Sequence, residues 1–543
     1  MKKYILNIAL GLLLGGSMAS CSDFLDRIPK EELSDGSFWK TQKDAEMAVS
    51  QLYDALPTWD VDEDINSDNA VHGIKWAAGN VSKGVYLPGD QGWKDSYGII
   101  RKANLVLEKL PNIEMGEQAR KQIEGQARFF RAFVYFELIR QYGDVPYIDK
   151  SLSLGEEQGT VRTDWKEIYT KVMADYDVAI AGLPVAWDGA NEGRITKGAA
   201  MAMKARTALY FNNFDVAAAE SKKVMDLNKY ELYDKENSGN YKKLFWEEAD
   251  GCDEFILSVQ FKAPERTHYL IGWEAFPTLG WGGLNPTQSL VDAFEDIEGA
   301  PIAKSKIYDE KKPFDNRDPR LEVNVLHDGE TMYGVDIKTA PLKSSGSTGV
   351  AQHHDATATG YYQQKWLDPS IRPESTGWDM GKDWVVIRYA ETLLTYAEAK
   401  NEISPLDPSA FDAVNQVRKR VGMPELQNSN PNLPTYCATQ DDLRQRIRNE
   451  WRVEFALEGG KRMWDIRRWG IAKEVLNAPF LGMKYTLVDS PDAKEGDGGQ
   501  ICILYEGENI KLEGSKYEDH NYLFPIPQSE IDLNPGLKQN PGY

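Results

Sequence analysis

The sequence predicts a mainly α-helical protein, in which tetratricopeptide-like helical hairpins form a scaffold that carries long loops and short β-strands. Three observations indicate this fold class. Apolar residues recur at three- and four-residue steps over long stretches, and several of these stretches follow one another through short connections. The stretches between them are rich in Gly, Pro, Asp, Asn and aromatic residues, a composition that is typical of loops.

The N-terminal residues have the features of an export signal. Two lysines at positions 2 and 3 precede an apolar or small run over 5–18, which is the order found in a secretory signal. This run is shorter than the about 20 apolar residues that span a bilayer. The segment Met-Ala-Ser-Cys that ends at Cys21 is similar to a bacterial lipobox. We therefore expect 1–20 to be a lipoprotein signal peptide and Cys21 to be lipidated; the alternative is an ordinary signal peptide with an incidental cysteine.

Helical periodicity is clear in a series of stretches after the signal. In 120–141, the residues Ile123, Ala127, Phe130 and Val134 place one apolar stripe along a helix of about six turns. The other stretches with this period are 97–110, 165–183, 197–211, 213–226, 383–402, 408–421 and 441–458.

Two pairs of these helices are predicted hairpins. The helix over 197–211 continues through two asparagines into 214–226, and the helix over 384–401 continues through a short proline-containing connection into 411–421. Small residues inside the pairs, such as the three alanines at 217–219, permit the close helix approach of tetratricopeptide repeats. Because the pairs do not recur at a strict period, we expect irregular helical repeats.

Two regions differ from the helical scaffold. The stretches 57–95 and 230–380 contain many turn-forming and aromatic residues and only short apolar runs. They are expected to form loops and short strands that lie over the helices. Binding residues concentrate on loops that a rigid scaffold positions, so the function should be sought there. A Pro-rich segment at the C-terminus is expected to wrap the body in extended conformation.

Composition and net charge limit the classes of molecule that the protein is expected to bind. The 543 residues include 63 Lys and Arg and 84 Asp and Glu, which gives a formal net charge of −21, and hydrophobic residues make up 41%. This hydrophobic fraction is ordinary for a folded protein. Because no cluster of basic residues interrupts the acidic background, a nucleic acid partner is not expected.

The cysteines are widely separated in the sequence. Cys21, Cys252, Cys437 and Cys502 include no C-x-x-C pair. This spacing predicts neither a zinc site nor a dense disulfide framework. If Cys21 is lipidated, the other three allow at most one internal disulfide, and the sequence leaves open whether it forms.

Sequence motifs for catalysis or metal binding are missing. The six histidines form no H-E-x-x-H spacing, and the sequence has neither a G-x-S-x-G nucleophile elbow nor a phosphate-binding Gly-rich loop. The nearest approach to a metal cluster is His353-His354-Asp355, where adjacent side chains of an extended loop are expected to point apart. The sequence therefore predicts a protein that is not an enzyme and that has no metal site and no cofactor; it leaves open whether a structural calcium ion is bound.

An acidic pattern near the C-terminus has two interpretations. Glu450, Glu454 and Glu458 are spaced by four residues and interleave with Arg448 and Arg452. A face of three carboxylates would suit catalysis or metal binding. The other interpretation is a salt-bridged structural helix, since opposite charges at this spacing interact on a helix. We favour it, because this segment resembles a scaffold motif of a known family, and that resemblance implies a structural role.

A family resemblance extends over almost the whole chain. The segments that carry it are CSDFLD at 21–26, FW at 38–39, GQARFFRAFVYFELIRQYGDVPY at 125–147, GRITKGAAMAMKARTALY at 193–210, NPTQSLVDAFE at 285–295, FDNRDPRL at 314–321, VVIRYAETLLTYAEAKNE at 385–402, RNEWRVEFALEGGKRMWDIRRWG at 448–470 and YLFPIPQSEIDLNPGLKQNPGY at 522–543. In this order they resemble the SusD-like, or RagB/SusD, outer-membrane lipoproteins of Bacteroidetes.

The resemblance implies a SusD-like fold over 21–543, with a helical part over about 21–228 and a loop-rich and helical part over about 229–543. It also implies a glycan-binding lipoprotein, exposed on the outer membrane, that captures oligosaccharide or polysaccharide and delivers it to a SusC-like TonB-dependent transporter. The alternative is the peptide-binding lid of a TonB-dependent peptide importer, because some family members resemble peptide-transport subunits.

Aromatic rings outside the scaffold motifs are the predicted ligand contacts, because the apolar faces of sugars stack on indole and phenol rings. The tryptophans in motifs that resemble the family scaffold, which are expected to be core, are Trp39, Trp93, Trp165, Trp246, Trp384, Trp464 and Trp469. The tryptophans in loop-like sequence are Trp59, Trp76, Trp187, Trp273, Trp281, Trp366 and Trp378.

We predict that Trp76 and Trp281 form the main stacking surface, because they lie in the two loop regions where family members tend to place ligand contacts. Trp273 and Tyr361 are further candidates. Partial burial without a ligand is the alternative for each ring.

Polar contacts are predicted beside both of these rings. Asp68, Asn69 and Lys75 precede the first ring in the sequence, and Asn285 follows the second. Such side chains would exchange hydrogen bonds with the hydroxyl groups of a bound sugar.

Overall fold

A computed structural model describes residues 38–58, 62–73, 84–86, 89, 92–152, 155–233, 238–373, 375–512 and 514–543. The helices of this part of the chain are α1 Gln42–Ser50, α2 Trp93–Lys109, α3 Glu117–Tyr142, α4 Trp165–Gly182, α5 Lys197–Tyr210, α6 Phe214–Asp226, α7 Leu270–Glu274, α8 Gln288–Ala293, α9 Arg320–Asn324, α10 Tyr389–Ile403, α11 Pro408–Arg420, α12 Gln440–Glu454, α13 Lys461–Arg468, α14 Ala472–Asn477 and α15 Gln528–Leu533. The predicted mainly helical fold is confirmed.

Short strands occur in both predicted loop regions of the described residues, and four further strands lie outside these regions. In chain order the strands are β1 Ala70–His72, β2 Phe255–Val259, β3 Leu284–Pro286, β4 Val325–Leu326, β5 Thr331–Met332, β6 Val335–Asp336, β7 Tyr362–Gln363, β8 Trp384–Arg388, β9 Leu481–Asp489, β10 Gln500–Leu504 and β11 Glu508–Lys511. All of them pair antiparallel. Strands β10, β9 and β11 form one sheet in that order, and the others pair as β1 with β3, β2 with β8, β4 with β7 and β5 with β6.

Both predicted helical hairpins are confirmed. Helices α5 and α6 form one, helices α10 and α11 form the other, and α6 also packs against α10. Ala217 and Ala218 in α6 are buried. These small side chains allow the neighbouring helices to approach closely.

Local signals define where the helices begin. The side chain of Thr41 accepts a hydrogen bond from the amide of Asp44, whose carboxylate accepts from the Thr41 amide, so that a capping box starts α1. Thr439 and Asp442 form the same arrangement at α12. Each pair satisfies amide groups that the first helical turn leaves without an intrahelical partner.

Two predicted helices differ from the observed helices at one end each, and there the predictions were wrong. The predicted helix over 383–402 begins with strand β8, and helix α10 starts only at Tyr389. The sequence Trp-Val-Val-Ile-Arg of β8 is rich in β-branched and aromatic residues, and it pairs with β2. The predicted helix over 441–458 ends at Glu454, because Leu457, Gly459 and Gly460 have positive φ and form a turn into α13.

The predicted structural role of the acidic pattern is confirmed, but with different partners. Glu454 accepts hydrogen bonds from Arg320, Arg388 and Arg420, which belong to other elements. The carboxylates at positions 450 and 458 likewise pair with buried cations outside α12. The ion pairs therefore join separate elements in the interior, and they do not stabilise the surface of one helix.

Burial and pairing together set the ionisation of these groups. Burial alone would raise the pKa of Glu454, but the charges of Arg420 and Arg388 hold that pKa well below its ordinary value. Burial likewise opposes the ionisation of Glu391, but nearby positive charge, mainly that of Arg206, lowers the pKa of Glu391 to about 2. Both carboxyl groups are therefore ionised at neutral pH.

The C-terminal segment packs against the end of helix α3, which agrees with the expectation that it wraps the body. The amide of Phe524 donates to the carbonyl of Gln141, and the side chain of Asn540 donates to the carbonyl of Tyr142. The segment is not extended throughout, since it includes helix α15.

The cysteines of the described residues are free. Cys252, Cys437 and Cys502 form no disulfide with one another, and burial raises the pKa of each thiol to about 11. Such thiols are weakly nucleophilic at neutral pH. Among the helices that the structure describes, none combines the length and the hydropathy that a bilayer crossing requires.

Candidate functional site

Five aromatic side chains form a connected group of rings in the loop-rich part of the chain. Trp273 and Trp281 are stacked with ring centroids 5.7 Å apart, and Tyr269 and Trp378 are stacked with centroids 6.1 Å apart. An edge contact between Tyr269 and Trp273 at 6.3 Å joins the two stacks, and the imidazole of His72 lies 6.2 Å from Trp273. We call these five residues the aromatic platform.

Exposure to solvent makes the platform unusual. Tyr269, Trp281 and Trp378 are 40%, 39% and 36% exposed, and Trp273 is half-buried in contact with two of them. Large rings are normally buried, because removing their apolar surface from water stabilises folding. A contiguous group of exposed rings therefore indicates a binding surface.

One helical turn places two of the rings. Helix α7 begins directly after Tyr269, and the amide of Trp273 donates to the carbonyl of Tyr269 at 2.9 Å. The spacing of four residues puts both rings on one face of the turn. Position 272 requires glycine, because a Cβ on Gly272 would lie 2.5 Å from the ring of Trp378.

The loop that carries Trp281 is tied back to the same turn. The amide of Gly282 donates to the carbonyl of Ala275 at 2.8 Å, and the amide of Gly283 donates to the carbonyl of Trp273 at 3.1 Å. A Cβ on Gly283 would lie 2.7 Å from the indole of Trp273. The stacked arrangement of the two tryptophans is thus held by backbone hydrogen bonds, and it depends on glycine at position 283, which has no side chain to displace the indole of Trp273.

Backbone pairing brings the remaining members to the platform. His268 and Met380 exchange two backbone hydrogen bonds of 3.1 and 2.8 Å, which hold Trp378 beside α7. Strand β1, which ends at His72, pairs with β3 just after the Trp281 loop. The platform is therefore assembled from three distant parts of the sequence.

Polar groups flank the Trp378 end of the platform. Asp379 is exposed, and its carboxylate accepts a hydrogen bond of 3.4 Å from the hydroxyl of Thr267. The nearby His268 is buried, and burial lowers the pKa of its imidazole to about 4. His268 is consequently neutral at physiological pH, and its Nε2 lies 2.9 Å from the carbonyl of Lys382 in a structural contact.

Two predicted polar contacts lie inside the scaffold. Asp68 is buried and pairs with Arg462 at 2.8 Å and with Arg452 at 2.9 Å. Burial alone would raise the pKa of Asp68, but these two cations hold it well below its ordinary value. Asn69 is also buried, and its side-chain oxygen accepts from Arg452 at 2.9 Å. Both side chains are engaged in the interior, so we do not include them in the platform.

Asn285 and Tyr361, the other polar and aromatic candidates, are buried as well. The side-chain oxygen of Asn285 accepts from the amide of Ala358 at 2.9 Å, and the hydroxyl of Tyr361 donates to Gln288 at 2.7 Å. These contacts support the loops behind the platform. Three further candidates, Cys21, Lys75 and Trp76, lie outside the described residues, so the predicted pairing of Trp76 with Trp281 stays a prediction.

The remaining tryptophans divide in a way that the sequence only partly predicts. Among the scaffold tryptophans, three are buried as expected for core residues, namely Trp93, Trp384 and Trp464, whereas four are only half-buried, namely Trp39, Trp165, Trp246 and Trp469. Trp366, which has loop-like sequence, is buried instead, and its Nε1 donates to the carbonyl of Leu457 at 2.9 Å. Trp187 is half-buried, with its Nε1 donating to the carbonyl of Ile195. Trp59 lies outside the described residues.

The expectation that the side chains of His353-His354-Asp355 point apart is wrong. Ligand atoms from all three side chains lie within 4.8 Å of one another. The two imidazole centroids are 4.1 Å apart, because this stretch is a tight turn and not an extended loop. Alternation of adjacent side chains holds for extended backbone and does not apply to a turn.

Comparison with known proteins identifies the family. A family model described as "SusD family" matches residues 258–543, which is more than half of the chain, and a second described as "Starch-binding associating with outer membrane" matches residues 23–209. The chain belongs to the SusD family. The resemblance found in the sequence motifs is thereby confirmed.

SusD-family relatives align over nearly the full length of the chain. The SusD-like protein P2 of Formosa agariphila is 26% identical over an alignment that covers 100% of both chains. A solved SusD-like protein from Bacteroides fragilis is 28% identical and has a TM-score of 0.78 over 95% of this chain and 100% of its own. A SusD-like carbohydrate binding protein from the same species is 26% identical, with a TM-score of 0.78 over 92% of this chain and 100% of its own.

Two members of the platform in this SusD-family chain, Tyr269 and His72, are not among the ligand contacts that the sequence predicts. Trp273, Trp281 and Trp378 are all predicted as rings in loop-like sequence. The spacing of Tyr269 and Trp273 was an available signal, since four residues in a helical turn put two rings on one face. His72 reaches the platform through the pairing of β1 with β3, and the sequence does not identify that pairing.

Proposed function

We propose that this protein is a lipid-anchored cell-surface subunit that captures an oligosaccharide or polysaccharide on the aromatic platform and delivers it to a SusC-like TonB-dependent outer-membrane transporter. The observation that carries this proposal is the exposed stack of Trp273 on Trp281, which Tyr269 and Trp378 continue. The family description as starch-binding and the carbohydrate-binding relative support a glycan as the ligand.

The chemistry of the platform suits a sugar chain. Sugar rings have apolar C–H faces that stack on aromatic rings, and their hydroxyl groups require hydrogen-bonding partners at the edges. The linked ring contacts offer several stacking positions, and Asp379 and Thr267 offer polar partners at one end. Backbone hydrogen bonds preorganise the rings, so that binding costs little conformational entropy.

Binding without chemical conversion is part of the proposal. Burial raises the pKa of Asp64 to about 6 and that of Glu330 to about 7, the range of a general acid. Each of these carboxylates accepts a hydrogen bond from a backbone amide, that of Leu457 or that of His327. Neither carboxylate belongs to the platform. We therefore assign both to the scaffold.

Binding assays with the full chain test the choice of ligand. Affinity electrophoresis against a panel of polysaccharides, followed by isothermal titration calorimetry with the best oligosaccharide, should give saturable heat. The same titrations with peptide mixtures test the alternative of a peptide importer. No heat with any glycan but saturable binding of a peptide would contradict the proposal.

The proposed lipid at Cys21 predicts a separate effect on localisation. A Cys21→Ala variant should lose lipidation and surface retention, because the N-terminal lipid would be its membrane anchor. Its purified body should bind glycan as the unmodified chain does. Fractionation of cells and protease accessibility measure retention. A variant that stays on the surface undiminished would contradict the role of Cys21.

A further inference from the structure

We propose that His353, His354 and Asp355 form a binding site for a divalent transition metal ion of the Zn²⁺ class. Their ligand atoms lie within 4.8 Å of one another, in a turn that the glycan-binding proposal does not use. The inference does not depend on that proposal. It reverses the prediction from the sequence that the protein holds no metal.

The distances are close to those of a metal site. The Nε2 of His354 lies 2.8 Å from a carboxylate oxygen of Asp355, and the Nδ1 of His353 lies 3.8 Å from the same oxygen. Two ligands about 2.0 to 2.1 Å from a tetrahedral ion are about 3.3 Å apart. Small rotations of the two imidazoles would therefore bring all three atoms into coordination distance.

Two hydrogen bonds occupy the ligand atoms and must be exchanged for the metal. The contact of 2.8 Å between His354 and Asp355 has the length of a hydrogen bond, and a metal ion would replace the proton that it shares. The amide of Asp355 donates to the Nδ1 of His353 at 3.2 Å, which is long for a hydrogen bond. Both exchanges are local, because the two histidines lie at the protein surface.

The donor set selects the class of metal. Two imidazole nitrogens and one carboxylate oxygen suit Zn²⁺, Ni²⁺, Cu²⁺ and Co²⁺, whereas Ca²⁺ and Mg²⁺ prefer oxygen ligands. The side chain of His354 is 75% exposed and that of Asp355 is buried at the base of the turn. Three protein ligands with one side open to solvent leave coordination positions for water or for an external ligand.

Buried groups hold the turn from behind. The amide of Thr357 donates to the hydroxyl of Tyr362 at 3.1 Å, and the amide of Ala358 donates to Asn285 at 2.9 Å. Tyr362 and Asn285 are both buried. A fixed backbone keeps the ligand-bearing residues close together and lowers the cost of assembling the site.

The proposed metal site adjoins the platform. A Cβ on Gly282 would lie 2.9 Å from the backbone carbonyl oxygen of Asp355, so the turn packs against the residue that follows Trp281. A metal ion there would lie next to the loop that carries an exposed ring. An oxygen of a ligand stacked on that ring is one group that could fill its open positions.

Calorimetric titration of ZnCl₂ into the full chain tests this site. The protein must carry no polyhistidine tag. The unmodified chain should bind one Zn²⁺ ion at the turn, and His354→Ala should weaken that binding at least about tenfold, since even loss of a supporting residue commonly costs that much. Asp355→Asn, which preserves the size of the side chain, should have a similar effect.

The matched control is His520→Ala, which removes a histidine that contacts Tyr543 at the C-terminus. This variant should bind Zn²⁺ as the unmodified chain does. Cysteines other than Cys21 compete weakly at neutral pH, because burial raises the pKa of Cys252, Cys437 and Cys502 to about 11. No saturable Zn²⁺ binding by the unmodified chain, or equal binding by the His354→Ala and Asp355→Asn variants, would overturn the proposal.

Discussion

Replacing Trp281 with alanine should weaken glycan binding about thirtyfold or more and leave the fold unchanged. Truncating a central aromatic residue of a binding surface commonly costs about 2 kcal/mol, which corresponds to about thirtyfold in affinity. Trp281 is exposed, so its removal takes away ligand contact area without opening a cavity in the core. Calorimetric titration with the best glycan measures the change, and circular dichroism checks the fold.

A conservative variant at Trp281 and a substitution of a tryptophan outside the platform distinguish the loss of ring stacking from an unspecific effect of removing a tryptophan. Trp281→Phe should retain most of the affinity, because a smaller aromatic ring still stacks. Trp165→Ala is the control, since Trp165 is a half-buried tryptophan that, like Trp281, is stacked on another ring, that of Phe211 at 4.8 Å. It should bind glycan normally. If Trp281→Ala and Trp378→Ala both bound glycan with unchanged affinity, the binding site would lie elsewhere on the protein.

Replacing Glu454 with glutamine should lower the free energy of unfolding by about 3–5 kcal/mol. This is the usual cost of removing one partner from a buried ion pair, because the other charges remain buried without compensation. Glu454 is fully buried and accepts from Arg320, Arg388 and Arg420, so glutamine would leave an excess of positive charge. Unfolding in guanidinium chloride, followed by fluorescence, measures the difference.

The same helix offers a matched control at its first turn. Asp441 is exposed in α12 and pairs with Arg444 at 2.8 Å. Exposed pairs contribute less than about 1 kcal/mol, so Asp441→Asn should change the free energy of unfolding little. Equal effects of the Glu454 and Asp441 substitutions would show that the buried network does not stabilise the fold as we describe it.

The buried network also predicts how stability depends on pH. The pKa of Glu454 in the folded state lies below its value of about 4.3 in the unfolded chain, so its pairing stabilises the fold above that pH. This contribution is lost as the pH falls through the folded-state value, and Glu391, with a pKa of about 2, behaves in the same way. Unfolding measured between about pH 5 and pH 2 should therefore show a steeper loss of stability in the unmodified chain than in Glu454→Gln.

The helical scaffold could be predicted because the spacing of apolar residues within each helix indicates the helix without reference to the rest of the chain. The stripe that contains Ile123, Ala127 and Phe130 repeats within each turn, and all three residues are buried in α3. Prediction failed where long-range pairing decides the structure. Strand β8 continues the helical period of α10, but it is a strand because β2 lies beside it.

The platform could be predicted only in part, for the same reason. Trp273 and Trp281 were identifiable as rings in a loop region, yet sequence gives no measure of exposure for a particular ring. Trp366 also lies in loop-like sequence, and it is buried. Asp68 and Asn69 precede a predicted binding loop, but two arginines from distant positions pair with them in the interior.

The mainly helical fold, the hairpins and the family could be predicted from the sequence, because helical periodicity and ordered motifs are encoded by neighbouring residues. Three features depend on tertiary contacts: the set of rings that forms the exposed platform, the pairing of Glu454 with cations from other elements, and the convergence of His353, His354 and Asp355. Each of these features joins residues through turns, strand pairing or buried contacts, whose geometry is set by packing of the whole chain and not by local propensity.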